Sequence, residues 1–168
     1  MHILLVDDER PILDLLCQIC TREGHDVACA ESAAEALVQL RTEPFDMLIT
    51  DIVMPGLDGL ALVRRGKAMQ PDLMPLVITG HAGEYTLEDV LNAGASDLLL
   101  KPFRAPELRV RLRLASDQRR MREQMKAQGR AMQLMSSEMI GGLQRELDEA
   151  RQYAARLAAV VARGDEPV

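Results

Sequence analysis

At 168 residues the chain is long enough for one domain with a sizeable core and one further element, and short for two full domains. Its 48% hydrophobic and 27% charged residues exclude wholesale disorder, and no apolar run approaches the roughly 20 residues that span a bilayer. A net charge of −6, with 2% aromatic residues and no Trp, argues against single-stranded nucleic acid as a ligand, which needs stacking platforms and a basic groove.

The chain opens Met1-His2-Ile3-Leu4-Leu5-Val6-Asp7-Asp8, without the basic flank and apolar segment of a secretory signal, so a cytoplasmic protein is expected, with no membrane partner. Ile3–Val6 reads as a strand. A helical pattern over 10–23 follows, with Ile12, Leu16 and Ile19 on one face. Cys17 and Cys20 lie in mid-helix rather than at a helix N-terminus that would activate them, and read as buried structural thiols. Three cysteines make no disulfide framework. Strand Val27–Ala30 precedes a helix over 32–42, which Ser32 and Glu35 would open as a capping box. Strand Phe45–Thr50, a helix over 57–69, strand Met74–Thr79, a helix over 84–93 and strand Leu98–Leu100 complete the series. Several strands are apolar without alternation, as strands covered on both faces are. Five βα repeats with short connections predict an α/β fold built on a doubly wound, five-stranded parallel sheet.

The fifth helix begins near Pro106 and meets no clear stop before Gly164. Leu108, Leu112 and Ala115 form a core-facing stripe. From Leu114 a second stripe runs through Gln118, Met121, Met125, Gln128, Met132, Met135 and Met139, alternating steps of four and three as a heptad seam does. After Gly141-Gly142 the seam resumes one residue out of phase, as Leu143, Leu147, Ala150, Ala154, Leu157 and Val161, so a kink or a hairpin turn is open there. The expected organisation is a globular domain over 1–116, a coiled-coil helix over 117–163 and a frayed tail over 164–168. Residues left exposed along such a seam need a partner, and a homodimer through residues 114–161 supplies one. The basic stretch 107–130 carries eight Lys/Arg against three acids, which reads as the solvated face of that coil. No helix-turn-helix pattern is present to read a DNA groove.

Asp7-Asp8, Asp51, Thr79 and Lys101-Pro102 all follow or close predicted strands, and in an open parallel sheet that edge is where ligands bind. Carboxylates crowded together repel unless a cation sits among them, and an all-oxygen set suits Mg²⁺. Asp51 would then be a carboxylate nucleophile for a phosphoryl group, with the metal and Lys101 neutralising its oxygens and the Thr79 hydroxyl donating to one of them. Gly80 leaves room beside it. His81 and Tyr85 lie near the rim, where an ordinary loop histidine and a packing tyrosine are the plainer readings. A Mg²⁺-dependent phosphohydrolase typically carries a second Asp two positions after the nucleophile; Val53 stands there.

Residues 1–106 resemble the receiver domain of two-component response regulators, through Leu4-Leu5-Val6-Asp7-Asp8-Glu9, Ile49-Thr50-Asp51-Ile52-Val53-Met54-Pro55-Gly56-Leu57-Asp58-Gly59, Ile78-Thr79-Gly80 and Leu100-Lys101-Pro102-Phe103. The resemblance implies a 2-1-3-4-5 strand order and phosphoryl transfer to Asp51 from a sensor histidine kinase, a phosphotransfer protein or a small phosphodonor. It implies Mg²⁺ held by Asp8, Asp51 and the Val53 carbonyl, with Asp7 acting largely through water, and a cis Lys101-Pro102 bond that aims the lysine inward. The chain would be a signalling switch rather than an enzyme, catalysing only its own phosphorylation and dephosphorylation. One position departs from the family: Leu98 stands where an aromatic residue is common, three before the lysine. The alternative is the regulatory front half of a larger response regulator with an enzymatic output, such as a metal-dependent Ser/Thr phosphatase, for which Leu143, Glu146, Leu147, Ala150 and Arg151 offer a weak signature.

Overall fold

The computed structural model describes residues 1–80 and 83–164. Five strands alternate with five helices: β1 His2–Val6, α1 Arg10–Arg22, β2 Asp26–Ala30, α2 Ala33–Thr42, β3 Met47–Asp51, α3 Gly59–Met69, β4 Met74–Thr79, α4 Leu87–Asn92, β5 Asp97–Leu100 and α5 Ala105–Gly164. All neighbouring strands are parallel and their order is β2-β1-β3-β4-β5, so the sheet reverses direction beside β1. The crevice above the C-terminal ends of β1 and β3 is the switch point of the fold.

The alternation of side chains along each strand divides the interior into two cores. Leu4, Val6, Leu48 and Val77 face α2, α3 and α4, meeting Ala33, Ala36, Leu40, Leu62, Val63 and Val90. Ile3, Leu5, Ile49, Leu76 and Ile78 face the opposite way, onto Leu13, Leu16 and Ile19 of α1 and Leu108, Leu112 and Ala115 of α5. The first stripe expected on the fifth helix is therefore a core stripe. β3 and β4 are buried along their whole length, which explains their unbroken apolar lettering.

Local chemistry sets the helix starts. Asp58 caps α3 by accepting the Ala61 N–H at 2.6 Å, so the helix begins at Gly59 rather than at 57. Thr86 and Asp89 form a reciprocal capping box that starts α4 at Leu87, and Gly94, at φ +94°, ends it with the Ala95 and Gly94 amides donating to Val90 and Leu91. The expected helix over 84–93 thus shortens to six residues. Ser32 caps α2 as anticipated, but the Glu35 carboxylate accepts the Glu31 N–H, one residue earlier than a capping box requires.

The chain divides into a unit Met1–Arg120 and a second unit Met121–Val168. Within the first, ion pairs Arg109–Glu23, Arg111–Asp97 and Arg119–Asp46 join the start of α5 to α1, β5 and the approach to β3. In the second, helix is continuous through Gly141-Gly142, which resolves the choice between a helix and a hairpin. Met121, Met125, Met132, Met135, Met139, Leu143 and Leu147 are all exposed along it. No helix among the described residues is long and apolar enough to cross a membrane.

Gln70, just past α3, ties three backbone segments together. Its amide oxygen accepts the Phe45 N–H, and its amide nitrogen donates to the Leu40 and Glu43 carbonyls, each at 2.8 Å. Gln70→Ala strips those groups of their partner and is expected to cost about 2 kcal/mol in urea unfolding at an unchanged m-value. A loss below a few tenths would show that water replaces the amide.

Candidate functional site

The C-terminal ends of β1, β3 and β5 place three charged side chains in one pocket. Asp7 immediately follows β1, Asp51 ends β3, and Lys101 follows β5. Asp7 and Asp51 are 1% and 7% exposed, unusual depths for carboxylates. The Lys101 ammonium donates to Asp51 Oδ2 at 2.6 Å and to Asp7 Oδ2 at 2.9 Å, and Glu9 Oε1 lies 3.8 Å away. Backbone amides hold the remaining oxygens: Ile52 N–H donates to Asp51 Oδ1 at 2.6 Å, and Glu9 N–H to Asp7 Oδ1 at 2.9 Å. The Lys101-Pro102 peptide is cis.

Three carboxylates share one ammonium, so the pocket retains negative charge. Burial pushes the Asp7 carboxyl above its usual range, the neighbouring Asp51 adds to the rise, and the bonds from Lys101 and Glu9 oppose it without reversing it. For Lys101, burial alone would lower the ammonium; the hydrogen bonds to Asp51 and Asp7 outweigh that cost and the net direction is upward. Carboxylate oxygens of Asp7, Glu9 and Asp51 all lie within 4.8 Å of one another, a hard-oxygen set that fits a small divalent cation such as Mg²⁺.

The structure gathers most of the expected residues, with one difference. Asp8 is exposed and stands outside the carboxylate group, where Glu9 takes a place instead. Asp7 accepts the Glu9 amide two residues ahead, and Glu9 Oε1 comes within 3.8 Å of the Lys101 ammonium. Val53 is 40% exposed and its N–H reaches Asp51 Oδ1 at 3.4 Å. Thr79 ends β4, is buried, and its carbonyl accepts the Lys101 N–H at 2.8 Å. Tyr85 and Leu98 are both partly buried against the core that contains α2, α3 and α4, so Tyr85 is a packing residue. His81 lies outside the described residues.

Gly59 is a site residue whose role the sequence did not disclose. A Cβ there would stand 1.9 Å from the Asp51 carbonyl oxygen, and the Gly59 N–H donates to the Ile52 carbonyl at 2.8 Å. Only glycine lets α3 begin directly against the backbone of Asp51. Gly56, at φ +84° after Pro55, makes the turn that returns the chain to that contact.

Known proteins share the sequence pattern and the fold. The family model for the response regulator receiver domain matches residues 3–113. The C4-dicarboxylate transport transcriptional regulatory protein DctD of Rhizobium meliloti is 37% identical over 119 residues, covering 71% of this chain and 26% of that protein. Response regulator MprA of Mycobacterium avium is 37% identical over 113 residues, covering 67% of this chain and 50% of that one. The chain therefore spans between 26% and 50% of the length of these curated relatives. Among solved structures, NtrX from Brucella abortus in complex with ADP superposes with a TM-score of 0.69 at 33% identity, over 74% of this chain and 29% of that one. A CheY-like receiver domain protein from Methanospirillum hungatei gives 0.65 at 31% identity, over 71% of this chain and 97% of that one.

The raised Asp7 carboxyl has a measurable consequence. Because its folded pKa lies above the unfolded value of 3.8, its cost is absent below that pH and develops as pH rises through the folded value. In metal-free buffer at neutral pH, Asp7→Asn should raise stability by about 1 kcal/mol, the scale of relieving one uncompensated buried carboxylate. The advantage should close as the pH is lowered toward 4, in chemical denaturation at a series of pH values. A variant less stable than the parent at neutral pH would mean that the bond to Lys101 outweighs the repulsion.

Proposed function

The chain belongs to the response regulator receiver family, and on that premise we propose that Asp51 is its phosphoacceptor, charged by a sensor histidine kinase or phosphotransfer protein and read out through a dimerising C-terminal helix. The observation that carries the reading is the Lys101 ammonium set between Asp7 and Asp51 at the switch point of the sheet. In the transfer, an Asp51 carboxylate oxygen forms a bond to phosphorus as the P–N bond of the phosphohistidine breaks, and the electron pair returns to the imidazole nitrogen. Ile52 N–H holds Asp51 Oδ1, which fixes the carboxylate for attack. Lys101 then exchanges its bond to Asp51 for one to the transferred phosphoryl, and the Thr79 hydroxyl donates to another of its oxygens. Mg²⁺, when bound, supplies the charge neutralisation that phosphoryl oxygens and crowded carboxylates require. Asp8, Asp51 and the Val53 carbonyl are its proposed ligands, Asp7 acts through water, and Glu9 adds to the acidic set.

The domain assignment proposed with this reading is a receiver over 1–116 and a coiled-coil extension over 117–163. The exposed methionines between Met121 and Met139 support a second copy of the chain as the partner of that helix. Placed in the cytoplasm, such a dimer would pass the state of the pocket along α5. A second reading, supported by the fraction of its relatives that the chain spans, makes it the regulatory part of a longer response regulator whose output is enzymatic, a metal-dependent Ser/Thr phosphatase for example. The coding sequence beyond codon 168 separates the two.

Acetyl phosphate with Mg²⁺ should add one phosphoryl group to the full chain in intact-mass spectra. Asp51→Asn should abolish the addition, and Asp8→Asn should shift it to higher Mg²⁺ concentration. Phosphate persisting on Asp51→Asn protein would place the acceptor elsewhere. In sedimentation the full chain should be dimeric, and a Met132→Glu, Met135→Glu double variant monomeric with the same far-ultraviolet signature of a folded receiver. Equal sedimentation of the two would remove the seam as the interface.

A further inference from the structure

Two thiols on the outer flank of the receiver unit have no part in the phosphoryl site. Cys29 lies on β2, the edge strand of the sheet, paired in register with Leu5, as Val27 is with Ile3. Ile3, Leu5 and Val27 all belong to the core beneath α1, so the strand's period of two directs Cys29 to the same face. Cys17, on α1, is partly buried against that core. Both thiols thus lie on the face where α1 packs against the sheet, and the Cys17 sulfur is also 4.0 Å from the Thr21 hydroxyl. Partial burial first, and then Cys17 as both a neighbouring charge and a hydrogen-bonding partner, hold the Cys29 thiol up to about 11. Cys29 is exposed and Cys17 intermediate, so solvent reaches the pair. Cys20, which the C-x-x-C spacing would offer as the partner of Cys17, lies on the same side of α1 but is wholly buried in the core. Its thiol is pushed up to about 12 by burial.

We infer that Cys17 and Cys29 form a peroxide-oxidisable dithiol that closes to an intramolecular disulfide, clamping α1 to the edge strand. The Cys17 thiolate attacks one oxygen of hydrogen peroxide. The O–O bond breaks, a sulfenic acid forms and the second oxygen leaves as water. The Cys29 sulfur, as thiolate, then attacks the Cys17 sulfur, the S–S bond forms and the sulfenic oxygen leaves as a second water. Two electrons pass from the two sulfurs to the peroxide, and both thiol protons end in water.

The full chain is treated with a modest excess of hydrogen peroxide or with dithiothreitol, then alkylated under denaturing conditions and weighed intact. The reduced chain carries three cysteines and should take up three alkyl groups; the oxidised chain should take up one, on Cys20. Cys17 and Cys20 share a tryptic peptide, so Cys20→Ala provides the assignment: it should still close the bridge and take up none after peroxide. Cys29→Ser, an exposed and nearly isosteric change, should lose the bridge and leave Cys17 as sulfinic or sulfonic acid. Three alkyl groups after peroxide, a Cys17–Cys20 bridge in the parent chain, or a disulfide joining two chains would each overturn the inference.

Discussion

The receiver unit depends on one shared ammonium. Lys101 joins the ends of three strands that are far apart in sequence, and the sheet order sets those ends side by side. Its bonds to Asp7 and Asp51 make the burial of both carboxylates tolerable, yet one positive charge cannot balance three negative ones. Lys101 needs one buried carboxylate as its partner, and the second is present at a cost because the single ammonium is already paired. The pocket is therefore held together and under repulsion at once. That combination suits a site whose missing positive charge is to arrive from outside.

The surrounding packing limits how the pocket can respond. Gly59 sets α3 against the Asp51 backbone, so the Asp51 carboxylate has a rigid floor. The other side is lighter: α4 is six residues long and buries Val90 alone. Elements with few buried apolar contacts are those that open at low cost. Thr79 ends β4, and the next helix in the chain is this short one, with Leu98 of β5 packed in the same core that Val90 enters. Tyr85 and Leu98 pack in the same core, which makes that helix and β5 respond to a common set of contacts.

Much of this was legible in the letters. The apolar runs located all five strands because β3 and β4 are covered on both faces, and the residues at their C-terminal ends met as the parallel order requires. What escaped depends on side-chain direction or on pairing across elements. The letters put Asp7 and Asp8 at the site, and the structure adds the Glu9 carboxylate beside Lys101, which no spacing rule singled out. Glu35 sits at the right spacing for a capping box, but its carboxylate reaches one amide further back. Gln70 and Gly59 act on backbone groups of distant segments, which no local pattern encodes. Cys29 shares the α1-facing side of the sheet with Val27, a placement set by strand alternation that the spacing of the cysteines does not encode. Gly141-Gly142, a breaker by propensity, is overridden by the helix formers on either side.

The unbroken helix through Gly141-Gly142 has an angular consequence. Each residue of an α-helix advances about 100° around the axis, so a step of four advances about 40° and a step of three falls back about 60°. From Met139 to Leu143 and on to Leu147 both steps are of four, so Leu143 stands about 40° past Met139 and within about 20° of Met132, on the same side of the cylinder. A run of fours in place of the three-four alternation offsets the backward drift of about 20° per heptad and unwinds a supercoil locally, here at two glycines where no side chain resists it. The segment thus keeps one face throughout, whose winding relaxes at the glycine pair.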